Sequence, residues 1–86
     1  MSEISRFYGI VISMYHGDHN PPHFHAHYGE YYIEVSMRDM AILSGHLPPR
    51  ALSLVIEWAS MHKPELLKEW NLTCEDKPLF RIKPLR

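Results

Sequence analysis

The chain is poor in the features that would settle its class by composition. It has one cysteine among 86 residues, so Cys74 can form no intrachain disulfide and a covalently stapled scaffold is excluded. Charge of either sign is not in excess: nine Lys and Arg stand against ten Asp and Glu, a formal net charge of −1, so a general electrostatic affinity for nucleic acid is not implied. The longest early apolar run, Phe7 to Tyr15, is too short to cross a bilayer as a helix. Met1 to Arg6 lacks the basic-then-apolar order of a secretory leader. A cytoplasmic protein without a membrane partner is the expectation. No repeat and no low-complexity segment is visible.

What is present is an ordinary globular composition, 45% hydrophobic and 22% charged. At this length one domain spanning 1–86 is expected. Such a domain buries roughly 60–65% of its unfolded surface, enough for one sheet and one helical layer. Seven histidines are many for the length, and five of them fall between Tyr15 and Tyr28.

Phe7 to Met14 is rich in β-branched and aromatic residues and reads as a strand. Gly17, Asn20, Pro21 and Pro22 mark the following stretch as a loop, and two prolines cannot donate to a sheet ladder. His23 to Tyr28 and Tyr31 to Met37 read as a hairpin around Gly29-Glu30. After a turn at Arg38-Asp39, Met40 to Ser44 makes a fourth strand, ended by Gly45. Pro48-Pro49 announces a helix, which runs through Met61 and is kinked by Pro64. The expected fold is therefore α+β: a four-stranded antiparallel meander packed by one long, kinked C-terminal helix. Residues 71–86 form an extended tail in which Leu79 to Ile82 could add an edge strand. The helix carries more apolar surface than one sheet needs. The face of Ala51, Leu54, Trp58 and Met61 is expected to meet a second copy of the chain, or else the tail.

The chemistry lies in Asp18 to Tyr28. His23, His25 and His27 alternate, so on a strand they share a face. Counting back from the hairpin turn, His27 opposes Tyr32, His25 opposes Glu34 and His23 opposes Ser36, with Cβ atoms ~5 Å apart in such pairs. Asp18 and His19 lie in a loop able to fold back over this face. Three readings follow. The site binds a divalent transition metal such as zinc through His23 and His25, completed by His19, Glu34 or Asp18. Alternatively, His23, His25 and His19 perform metal-free acid–base chemistry on RNA, with Arg50 or Arg6 holding the phosphate. In the third reading the histidines are polar sheet surface in a protein-interaction module. His16 and His46 are read as surface residues, His62 as a hydrogen-bonded neighbour of Trp58, and Cys74 as an inert thiol.

The run R-F-Y-G-I-V-I-S-M-Y, then D-H-N-P-P-H-F-H-A and Y-G, then L-P-P-R-A-L-S-L-V-I-E-W-A with His62 and Trp70, resembles the bacterial "domain of unknown function 4160" family. The motif covers Asp18, His19, Asn20, Pro21, Pro22, His23, Phe24 and His25; Arg50 and His62 match the helical part. His16 and His27 lie outside it, and Pro64 departs from the family's continuous helix. The resemblance implies a small cognate partner protein in a toxin–antitoxin-like pair, acting through the His19, His23 and His25 site and directed at RNA.

Overall fold

A computed structural model describes residues 2–86. Its elements are β1 (Ser2–Phe7), β2 (Ile10–Met14), β3 (His23–Tyr28), β4 (Tyr31–Ser36), β5 (Ile42–His46), α1 (Pro49–Met61) and α2 (Lys63–Cys74). The five strands form one antiparallel sheet in chain order, β1-β2-β3-β4-β5.

Two features of the expected fold are corrected. The sheet has five strands, because the expected strand Phe7 to Met14 is split by a turn at Tyr8-Gly9. Both turn residues have positive φ, 51° and 79°, the pairing a two-residue hairpin of right-twisted strands requires. Phe7 then pairs with Ile10, and the segment before it becomes β1. The helix is two helices, not one kinked rod. His62 leaves helical geometry at φ −127°, ψ 28°, and Pro64 occupies the first turn of α2, where its missing N–H costs nothing.

Smaller shifts follow from backbone chemistry. Gly45 does not end the last strand but lies inside it at φ 83°, where an added Cβ would sit 2.0 Å from the Tyr32 carbonyl oxygen. The chain can pass that close to β4 only as glycine. The β3–β4 hairpin keeps the expected register throughout, from Tyr28↔Tyr31 to His23↔Ser36.

One sheet face, with Ile10, Ile12, Met14, Phe24, Ala26, Ile33 and Val35, packs with Val55, Trp58 and Ala59 of α1 into the core. Trp58 is fully buried, 5.4 Å from the Phe7 ring and 6.1 Å from Phe24. The tail forms no edge strand. It makes a single backbone bond to the sheet, from Ile82 N–H to the Ile4 carbonyl at 2.7 Å. It also crosses α1, where Trp58 Nε1–H donates to the Lys83 carbonyl at 2.8 Å. The chain thus covers Ala51 and Trp58 itself, and of the face expected to meet a second copy only Met61 stands exposed. Cys74 is an exposed free thiol. No helix among the described residues is long and apolar enough to cross a membrane.

Beneath the tail, Glu69 is completely buried. Its Oε1 accepts the Phe80 N–H at 2.9 Å, and its Oε2 has no partner. Burial pushes its pKa above the ordinary carboxylate value, against the smaller effect of that hydrogen bond.

Two stability measurements check this architecture. Trp58→Ala should cost about 3–5 kcal/mol in urea unfolding, whereas Met61→Ala should stay within about 0.5 kcal/mol. Because the folded pKa of Glu69 is raised, its contribution is fully present below the unfolded value of 4.5 and is lost as pH rises through the folded value. Glu69→Gln should therefore be more stable than the parent at neutral pH, with the gap closing as pH falls toward 4.5; a gap that widens on acidification would contradict the assignment.

Candidate metal centre

β3 presents His23, His25 and His27 on the face opposite Phe24 and Ala26, as strand alternation dictates. The loop between β2 and β3 folds back over that face. It brings Asp18 onto the histidines and lays Tyr15 edge-on to His25, with ring centroids 4.3 Å apart. His23 and His25 are buried as a result. The face is not free of helix contact: Trp70 of α2 reaches the start of β3, its ring 5.4 Å from that of His23.

The polar atoms converge on one point. Asp18 Oδ2 lies 3.0 Å from His23 Nε2 and 3.1 Å from His25 Nε2. These three donor atoms lie within 4.8 Å of one another. Glu34 Oε1 is 3.6 Å from His23 Nε2. His19 stays at the surface, its Nδ1 3.1 Å from Asp18 Oδ1, and that same oxygen accepts the His19 backbone N–H at 3.0 Å.

The other ring nitrogens decide where the protons are. His23 Nδ1 is 2.7 Å from the Pro21 carbonyl, which can only accept, so Nδ1 carries the hydrogen. In the neutral ring Nε2 is then a bare lone pair, buried and without a hydrogen-bond partner, aimed at a carboxylate oxygen. His25 repeats the arrangement. Its Nδ1 is 2.7 Å from the Tyr32 hydroxyl, which donates its own hydrogen to Glu34 Oε2 at 2.7 Å and so accepts from the ring. In this tautomer of the neutral ring His25 Nε2 also turns a lone pair on Asp18 Oδ2, 3.1 Å away; the other tautomer would donate to Asp18 from Nε2 and take the Tyr32 hydrogen away from Glu34. A hydrogen bond from that nitrogen to Asp18 as well would need an imidazolium, and burial pushes the His25 pKa down against the pull of Asp18. Burial acts to raise the Asp18 pKa; the His19 N–H and, when their rings carry the extra proton, His25 and His23 act the other way and leave the carboxyl below its ordinary value. Tyr32 is raised, by burial first and then by Glu34.

The remaining expected site residues lie elsewhere. His27 stacks on Tyr32 at 4.8 Å and offers no atom to the cluster. Arg6 is exposed and paired with Glu3 at 2.8 Å; with Arg81 it holds the Glu3 carboxyl at about 2. Arg50 lines a hollow with Tyr8, Ile10 and Tyr28 on the helix-covered side of the sheet. Neither arginine joins the histidines. His16 Nε2 meets the Lys77 carbonyl at 2.7 Å, and His62 Nδ1 meets Glu65 Oε1 at 2.7 Å while its ring packs tilted against Trp58, centroids 5.4 Å apart. Sequence reasoning passed over Tyr32 and the Pro21 carbonyl. Tyr32 was within reach, since it shares a face with Glu34 two residues on; nothing in a proline's identity says where its carbonyl points.

The fold and site together define a small antiparallel α+β domain with a two-histidine, one-carboxylate cluster held by loop and strand. The chain belongs to the family described as domain of unknown function (DUF4160), which it matches over residues 9–71. No curated protein and no solved structure matches it.

The opposed lone pairs have a measurable consequence. In metal-free protein, Asp18→Asn places an amide donor where Oδ2 stood, within reach of Nε2 of His23 or His25. The variant should gain about 1 kcal/mol over the metal-free parent in urea unfolding with chelator present. A loss of stability would mean that a proton already sits between these atoms.

Proposed function

We propose that this protein binds a divalent transition-metal ion through His23 Nε2, His25 Nε2 and Asp18. The observation that carries the reading is the buried Nε2 of His23, a lone pair in the neutral ring whose Nδ1–H the Pro21 carbonyl takes, set 3.0 Å from Asp18 Oδ2. A proton on that nitrogen would satisfy Asp18 and leave the lone pair of His25 opposed to the same oxygen. One cation between the three atoms answers all of them.

The supporting architecture has the form metal sites take. A ligating histidine donates its other N–H to a carbonyl or carboxylate, which fixes the ring and makes the free nitrogen more basic. Here Pro21 does this for His23, and Glu34 does it for His25 through Tyr32. Ligands at about 2.1 Å from an ion lie about 3 Å apart when adjacent at right angles, close to the 3.0 and 3.1 Å separations in this cluster. Imidazole with carboxylate suits zinc, iron or nickel over magnesium or calcium. Three protein ligands leave coordination positions open, the arrangement of reactive rather than purely structural centres.

The metal-free reading on RNA needs a cation to hold the phosphate, and neither Arg6 nor Arg50 is beside the histidines. Membership in a toxin–antitoxin-like pair rests on the family resemblance alone, and the metal reading does not depend on it.

Tag-free protein should carry close to one equivalent of zinc, iron or nickel by mass spectrometry, and a His23→Ala, His25→Ala double variant should carry none. Saturating zinc at about 100 times its dissociation constant should stabilise the parent by about 2.7 kcal/mol and leave the double variant unchanged. A parent that neither retains metal nor is stabilised by it would end this reading.

A further inference from the structure

Glu34 stands beside the cluster without joining it. Its Oε1 is 3.6 Å from His23 Nε2, farther than the 3.0 Å of Asp18. Its Oε2 is anchored by the Tyr32 hydroxyl at 2.7 Å. Its side chain is 23% exposed, whereas that of His23 is 1% exposed. One carboxylate oxygen is therefore held in place, and the other faces both the centre and solvent with a free lone pair. A carboxylate so placed is the usual proton acceptor for water at a metal centre.

Building on the metal reading, we infer that the centre is hydrolytic, that Glu34 accepts the proton of the attacking water, and that the substrate is an uncharged acyl compound, a carboxylic ester or amide. A divalent ion, when bound, supplies positive charge beside the substrate carbonyl oxygen. Glu34 Oε1 takes one proton from water as the water oxygen bonds to the carbonyl carbon. The bond from that carbon to the leaving oxygen or nitrogen then breaks, and Glu34 returns the proton to the departing atom. The products are an acid and an alcohol or amine, and no electrons are exchanged.

Charge selects the substrate class. Asp18 and Glu34 bring two negative charges, the ion two positive ones, and the imidazoles none. A phosphodiester would add a negative charge that neither expected arginine is placed to meet. Arg6 is committed to Glu3, and Arg50 lies on the helix-covered side. A neutral carbonyl needs no such partner. Tyr32 is a positioning residue here, acting through Glu34 and His25.

Zinc-loaded parent, Glu34→Gln and Glu34→Asp test this. Zinc affinity is read by competition with a chelator of known affinity. Hydrolysis is read on 4-nitrophenyl acetate and on bis(4-nitrophenyl) phosphate, with zinc-free parent as background. Expected is zinc-dependent cleavage of the neutral ester in preference to the phosphate. Glu34→Gln should lose about 100-fold or more of that rate while binding zinc as tightly as the parent, and Glu34→Asp should fall between them. A comparable loss of zinc affinity in Glu34→Gln would make Glu34 a ligand and overturn the inference. So would a zinc-bound parent that cleaves no neutral ester above background, or one that prefers the phosphate. If zinc does not titrate into the parent at all, the metal reading falls, and this one with it.

Discussion

Two imidazoles and the Asp18 carboxylate, buried at hydrogen-bond distance from one another with both Nδ1 atoms already engaged, are the constraint around which the rest of this molecule is arranged. Electron-rich atoms do not gather out of water unless something positive joins them or the fold forces them together. Here the fold forces them. The Pro21 carbonyl claims the only hydrogen of the neutral His23 ring, and the Tyr32 hydroxyl claims that of His25. The loop then delivers Asp18 to the two remaining nitrogens.

That delivery depends on two pieces of rigid framework. The β3–β4 hairpin sets His25 opposite Glu34 and places Tyr32 two pairs further on, on the same face. A one-residue slip would turn all of them to the other face. Behind the strand, Phe24 packs against Trp58, so β3 is anchored by its core side while its polar side carries the cluster. The tail meets α1 at Trp58 through the Lys83 carbonyl and bonds to β1 through Ile82.

The network around the cluster is continuous. Asp18 touches both imidazoles, His25 leads through Tyr32 to Glu34, and Glu34 returns toward His23. In a site of low dielectric each member polarises the next, so the carboxylates, tyrosine and histidines act as one unit. Trp70 and Tyr15 wall this ring with aromatic surface, which limits water and strengthens every charge inside it. The surface histidine, His19, marks the side from which solvent arrives.

Local rules were enough for much of this. Alternation put three histidines on one face, and the Gly29-Glu30 turn set the His25–Glu34 pair, because hairpin register is a counting problem once the turn is known. The helix start at Pro48-Pro49 follows from proline chemistry. Where local rules failed, a strand pairing or a backbone angle that no residue's own identity dictates was decisive. Ser2–Phe7 has little strand character of its own and becomes a strand by pairing with β2 across Tyr8-Gly9. Pro64 fits equally a kinked helix or the start of a second one, and the geometry at His62 chose the latter. Gly45 reads as a strand end, yet its meaning is the approach of the Tyr32 carbonyl. For the site itself, the sequence determined which residues could be ligands: Asp18, His19, His23, His25 and Glu34 were all legible. Only the tertiary structure decided which of them meet. Ring tautomers depend on what faces the second nitrogen, and that is a carbonyl and a hydroxyl brought there by a folded loop and a neighbouring strand.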